Sequence, residues 1–202
     1  MTDKQTDLIG LTQNEIIESL ISNNLITEKE KFRAKQIWHW VYHHGETNIN
    51  KMTTISSELR KEISKLYKVE RAIIENHQCS KDGTQKWLLK LEDDNLIETV
   101  FIPESNRGTL CVSSQVGCTL NCKFCFTGTQ KMVRNLTAQE ILSQLLLARD
   151  QLSDWPNSNQ RKISNIVFMG MGEPLYNYEN VKRAALIMGD KEGIKISTKR
   201  IT

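Results

Sequence analysis

The chain has 202 residues, of which 39% are apolar and 25% charged, with a formal net charge of +3. That length and balance fit one ordinary globular domain, or a small module joined to part of a larger one, and exclude a disordered or fibrous protein. No apolar run approaches the ~20 residues of a membrane span, and MTDKQTDLIG has neither the basic start nor the apolar core of a secretory signal, so a cytoplasmic location with no membrane partner is expected.

Helices come first. Thr12 to Asn23 opens with a capping box, Thr12 and Glu15, and continues with Ile16, Ile17, Leu20 and Ile21. Lys31 to His44 places Ala34, Ile37, Trp38, Val41 and Tyr42 on one helical face and stops at Gly45. Ser56 to Leu66 is the next helix, and the three form a small module over residues 1–68. The period then changes. Arg71 to Cys79 and Thr84 to Leu91 read as strands joined by the turn Lys81-Asp82-Gly83, and Leu96 to Ile102 as another, stopped by Pro103. Residues 69–109 are thus a β-hairpin segment leading into a core at 110–202.

From Leu110 the order is strand (to Gln115), cysteine loop, helix from Thr137 with a second capping box to Glu140, strand Ile163 to Met169, glycine-rich loop, helix Asn177 to Met188, and a strand beginning at Ile194. Such alternation is the start of a parallel α/β sheet or barrel, and 202 residues do not hold a whole one. An incomplete barrel is expected to expose the apolar faces of Ile163 to Phe168 and of the helix from Thr137, with poor solubility.

The charge is uneven. Lys182, Arg183, Lys191, Lys195, Lys199 and Arg200 face only Asp190 and Glu192 in the last stretch, and Lys123, Lys131 and Arg134 crowd behind the cysteines. Such a surface permits an anionic partner. The histidines His39, His43 and His44 read as polar helix surface, Trp38 and Trp40 as core and rim, and Cys79 as structural.

Chemistry concentrates in two places. The 5 cysteines are an odd number, and Cys118, Cys122 and Cys125 lie within eight residues as C-x3-C-x2-C, with Phe124 before the last. This argues against a secreted disulfide framework and for metal. Three thiolates on one loop can hold three irons of a [4Fe-4S] cluster and leave the fourth open to a small-molecule chelator; a zinc site completed by Cys111 is the alternative. Met169-Gly170-Met171-Gly172-Glu173-Pro174 follows an apolar strand, where glycines allow close approach of a ligand and Glu173 can receive an ammonium group.

Together these segments resemble the radical-SAM RNA methyltransferases of the RlmN and Cfr group. FRAKQIWHWVY looks like the helical accessory domain of the RlmN branch, IETVFIPESNRGTLCVSSQVGCTLNCKFCFTGTQKMVRNLT like the family's signature and VFMGMGEPLYNYENV like its second. The resemblance implies a partial radical-SAM (β/α) barrel preceded by the helical domain and hairpin. It implies a [4Fe-4S] cluster on Cys118, Cys122 and Cys125, S-adenosylmethionine at Gly172 and Glu173 with Phe124 in the aromatic position, Glu98 as proton acceptor and Cys111 as a second catalytic cysteine. The implied activity is methylation of adenine C2 in 23S rRNA and tRNA, with an electron donor such as flavodoxin; a C8-methylating relative and a zinc-dependent RNA-binding module are the alternatives.

In that family's route one S-adenosylmethionine methylates a late cysteine and another is cleaved to a deoxyadenosyl radical. The radical activates that methyl group for addition to adenine, and the adduct is resolved by a disulfide between Cys111 and the carrier. No cysteine follows Cys125 here, so the chain looks like the front half of such an enzyme and is expected not to methylate RNA alone.

Overall fold

The computed structural model describes residues 5–105, 107–120, 122–156 and 161–202. Asn121 of the cysteine motif and Asn106 of the segment before it lie outside the described residues, as do residues 1–4 of the N-terminal module.

A two-residue strand β1 (Thr6–Asp7) opens the chain, followed by α1 (Gln13–Ser22), α2 (Phe32–His39) and α3 (Ser57–Leu66). Strand β2 (Tyr67–Lys68) returns to pair in parallel with β1, which closes the helical segment on itself. The Thr12–Glu15 capping box forms as the sequence predicts: the Thr12 N–H donates to Glu15 Oε2 at 2.7 Å and the Glu15 N–H to Thr12 Oγ1 at 3.3 Å. The second helix differs from expectation. Its last turn, Trp40–His44, is π-helical, ended by Gly45 in the left-handed region at φ +73°. Three imidazoles gather at this turn: the His39 ring lies 4.2 Å from His43, its i+4 neighbour, and 4.8 Å from His44.

The strands β3 (Ile73–Cys79), β4 (Gln85–Lys90), β5 (Leu96–Glu104) and β6 (Arg107–Cys111) form an antiparallel meander, and β9 (Asn165–Val167) adds to β6 in parallel. Between them come the short pair β7 (Gln115–Val116) and β8 (Arg134–Asn135) and the long helix α4 (Ala138–Leu152); α5 (Tyr178–Gly189) follows β9. The sequence stops the fifth strand at Pro103, but β5 runs on through it to pair Pro103 with Gly108. β4 reaches only as far as Phe101, so one edge of β5 is already free at Pro103, where a missing N–H is tolerated. The strand expected from Ile194 starts later: Ile201 bridges Ile166 in parallel and the Thr202 N–H donates to the Ile166 carbonyl at 2.9 Å. The result is two βα units in series, β6–α4–β9 and β9–α5–Ile201, the beginning of a parallel α/β barrel.

The sheet's two faces differ in the way the site needs. Trp87, Leu89, Ile97, Phe101, Leu110 and Ile166 are buried with α4 and α5 in a single core that extends through Ile16, Ile37 and Ile63 of the helices. The expectation of exposed apolar faces is therefore overturned. Ile163, Ile166 and Phe168 are buried, and α4 is buried nearly all round, because the sheet covers one side and the N-terminal segment the other. That second cover is close: a Cβ on Gly10 would lie 2.8 Å from the Gln139 nitrogen, and Ser143 Oγ accepts the Ala72 N–H at 2.8 Å. Trp38 Nε1 donates to Asp190 Oδ1 at 3.0 Å, joining α2 to the end of α5.

Asp7 lies in this seam, and burial pushes its carboxyl from 3.8 up to about 6, against N–H groups of Ile9 and Glu70 that favour the charged form. A carboxyl whose folded pKa is raised binds more protons folded than unfolded through that interval. Its contribution is therefore complete below pH 3.8 and is lost as pH rises past about 6. Asp7→Asn, which cannot ionise, is expected to raise the melting temperature at pH 7.5 and give no gain at pH 4. The difference is bounded at roughly 3 kcal/mol, and thermal melts at the two pH values measure it.

Candidate active site

Two loops leave the C-terminal ends of the adjacent parallel strands β6 and β9, which is where α/β folds place ligands. The first carries the cysteines, the second Gly172 and Glu173. Main-chain bonds lace them together. The Gly170 N–H donates to the Val112 carbonyl at 3.2 Å, and the Ser114 N–H to the Met171 carbonyl at 2.8 Å. The Met171 N–H reaches Ser113 Oγ at 2.9 Å. Gly172 has φ +96°, and a Cβ there would lie 2.5 Å from the Gln115 Cβ, so only glycine fits.

Cys118, Cys122 and Cys125 are all half-buried free thiols. Gly117, at φ +75°, starts the loop where a side chain would strike the Lys131 carbonyl, and Gly128 packs against the Cys122 backbone. The loop is therefore pinched shut at its base and folded over itself. The Gly128 N–H, bonded to the Cys125 carbonyl at 3.0 Å, and the N–H and hydroxyl of Thr127 lie close to the Cys125 thiol and hold its pKa below the ordinary value. The Leu120 N–H reaches the Cys118 sulfur at 3.3 Å. Amide donors aimed at sulfur favour the thiolate, the form that binds metal. Among the described residues, no three His, Cys, Asp or Glu side chains converge closely enough to hold a metal ion. The three cysteines share one loop and the donor set of an iron–sulfur site, but their sulfurs do not meet at one point. Phe124 is 94% exposed beside them.

Cys111 differs in chemistry from these three. Burial pushes its thiol pKa up, only partly offset by a bond from the Met169 N–H, so it holds its proton at neutral pH. It pairs with Val100 across β5, which puts Glu98 one diagonal step away on the same face. That face is the one away from α4. Lys86 Nζ holds the Glu98 carboxylate at 2.9 Å, and Ser113 Oγ donates to the Glu98 carbonyl at 2.6 Å. Glu173 is also engaged: its carboxylate caps the short 3-10 helix Pro174–Asn177 by accepting the Leu175 N–H at 3.1 Å. Its second oxygen makes no hydrogen bond to another described residue.

The sequence overlooked two buried amides that hold the loops. Asn177, 3% exposed, donates from Nδ2 to the carbonyls of Ser114 and Leu136 at 2.8 and 2.7 Å. Gln115, fully buried, bonds both loops. A glutamine beside Val112 and Val116 was the available signal; Asn177 read as an ordinary helix start. The disulfide implied for Cys111 is absent, since all five cysteines are free and no cysteine follows Cys125 to pair with it. Of the basic residues behind the cysteines, Arg134 is committed to Asp93 at 2.6 Å and Glu140 at 2.7 Å, leaving Lys123 and Lys131 exposed. A cavity of about 570 Å³ bordered by Asp7, Arg71 and Arg183 lies in the seam below α4, away from both loops. No described helix is long and apolar enough to cross a membrane.

Residues 112–202 match the family model of the radical SAM superfamily, which gives the class of the core. Residues 6–69 match the ribosomal RNA large subunit methyltransferase N-terminal domain. The chain is 51% identical to the dual-specificity RNA methyltransferase RlmN of Rhodopseudomonas palustris (strain BisA53), over 96% of this chain and 52% of that protein. It is 53% identical to the RlmN of Rhodospirillum rubrum, over 97% and 45% respectively. The crystal structure of a radical SAM methyltransferase from Sphaerobacter thermophilus superposes with a TM-score of 0.85 at 34% identity, covering 97% of this chain and 55% of that one. The chain belongs to the RlmN family of radical SAM methyltransferases, and it spans about half the length of the curated relatives it matches.

Proposed function

We propose that this chain supplies the cluster loop and part of the cofactor site of an RNA methyltransferase that modifies adenine C2 in 23S rRNA and tRNA. The observation that carries this is the juxtaposition of the cysteine loop with the Gly172–Glu173 loop at the ends of β6 and β9. Residues 1–68 would be the helical accessory domain, 69–109 the lead-in strands and 110–202 the start of the core. The N-terminal match over residues 6–69 supports the C2 branch over a C8-methylating relative.

In this reading Cys118, Cys122 and Cys125 hold a [4Fe-4S] cluster, whose bound form supplies the electron for reductive cleavage of S-adenosylmethionine. Gly172 would let the cofactor approach the backbone, Glu173 would receive its ammonium group, and Phe124 would take the family's aromatic position. Glu98 accepts the adenine ring proton, its carboxylate oriented by Lys86. Cys111 keeps its thiol protonated until it resolves a protein–RNA adduct by forming a disulfide with a carrier cysteine that this sequence does not contain. Electrons would come from a donor such as flavodoxin, in the cytoplasm.

The test is transfer of labelled methyl to 23S rRNA by the complete enzyme under reducing, anaerobic conditions. 2-Methyladenosine is the expected product, 8-methyladenosine overturns the C2 assignment, and bound zinc without iron overturns the cluster. In the same enzyme Cys111→Ala should still attack RNA yet stall as a covalent adduct, seen as a gel shift that survives denaturation and disappears with ribonuclease. Loss of iron in that variant would make Cys111 a ligand instead.

A further inference from the structure

We infer that Gln115 is a positioning residue that couples the cysteine loop to the Gly172–Glu173 loop, so that metal and cofactor are registered to each other through one buried amide. This deepens the proposed function and rests on it. Gln115 is fully buried on the short strand β7. Its Oε1 accepts the Glu173 N–H at 3.0 Å and the Thr119 N–H at 3.2 Å, and Thr119 directly follows Cys118. Its Nε2 donates to Thr119 Oγ1 at 2.9 Å and to Asn135 Oδ1 at 2.8 Å, at the root of α4. Two of the donors on Oε1 are main-chain N–H groups, which can only donate, so the orientation of the amide is fixed.

One carbonyl oxygen therefore spans the two loops. Its main-chain N–H adds a third tie, to the Met171 carbonyl at 3.2 Å, and the bare Cα of Gly172 rests against its Cβ. Through the two bonds to Oε1, displacement of the Glu173 backbone moves Thr119, and with it the backbone beside Cys118. A side chain kept only to fill space would leave both ends of its amide unpaired or use one. Here both ends of the amide are paired, and together they reach Thr119, Asn135 and Glu173.

Two variants separate bridging from packing. Gln115→Met keeps the volume and removes all the side-chain bonds; Gln115→Glu keeps the two acceptor bonds to Glu173 and Thr119 and introduces charge. The intact protein is reconstituted anaerobically, and iron content, melting temperature and the change in the electron paramagnetic resonance of the reduced cluster on titration with S-adenosylmethionine are recorded. Bridging predicts that Gln115→Met retains iron and stability but needs about tenfold more S-adenosylmethionine for half the spectral change. Gln115→Glu should stay within about threefold of the parent. Packing alone predicts the reverse order, since a buried methionine is harmless and a buried carboxylate costly; that order overturns the inference.

Should Gln115→Met fail to fold, Gln115→Asn takes its place, since it keeps an amide but is one methylene too short for one oxygen to reach both the Glu173 and Thr119 N–H groups. It is expected to weaken the titration by about threefold, and an unchanged titration overturns the coupling. A parent protein that binds iron and cofactor while every variant matches it removes the coupling alone. A parent that takes up no iron removes the proposed function with it.

Discussion

Protein in which Cys118, Cys122 and Cys125 are all alanine is expected to emerge colourless from anaerobic reconstitution, against about four irons per chain in the parent. The loop has no other use for three thiols so placed. They are half-buried, none is in a disulfide, and amide donors already stabilise thiolate at Cys125. Single changes should be nearly as severe, because two ligands cannot hold a cubane that three barely enclose. Cys79→Ala and Cys111→Ala are the controls. Cys79 is exposed at the end of β3, and Cys111 holds its proton in a buried strand, so both variants should keep their iron. A normal iron content in the triple variant would refute the assignment of the loop, whatever the activity.

Glu173→Ala should leave the cluster spectrum intact and weaken S-adenosylmethionine binding by about 10–150-fold, the equivalent of roughly 1.5–3 kcal/mol for a lost charge-assisted bond. One carboxylate oxygen caps Pro174–Asn177 through the Leu175 N–H, which fixes the rotamer and leaves the other oxygen for an ammonium group. Glu173→Gln separates these two uses. It can still cap the helix but has no charge, so it should lose most of the affinity while keeping the parent's melting temperature. Calorimetric titration of the two variants decides it. Equal affinity in the parent and Glu173→Ala would remove Glu173 from the cofactor site.

The local signals in the sequence were strong where side chain and backbone act within a few residues. Both capping boxes, the Lys81-Asp82-Gly83 turn and the alternation that buries Trp87 and Leu89 are short-range patterns, and they form as read. The juxtaposition of Glu98 with Cys111 needed the register of β5 against β6, which a sequence does not state. Pro103 misled because its usual effect depends on whether a neighbouring strand is still present, and β4 has already ended there. The π-helical turn at Trp40–His44 leaves no mark in a 3.6-residue pattern, since Val41 and Tyr42 are still buried as that pattern places them. The cover over α4 was missed for a different reason. The periodicity of the helices shows which faces are apolar but not what covers them, and here those faces merge with those of the sheet into one core.

That merged core bears on how the chain is made. The helices α1–α3 leave the ribosome before the element they cover, so their apolar faces wait through the whole meander β3–β6 until α4 arrives some seventy residues later. The meander can assemble in that interval, since each strand pairs with its sequence neighbour and closes only short loops. Helix α4 then enters between two surfaces already present, and the first parallel pairing of the main sheet, β6 with β9, is delayed until that helix is in place. Synthesis from the N-terminus thus follows the order in which the contacts become affordable, local first and crossover last.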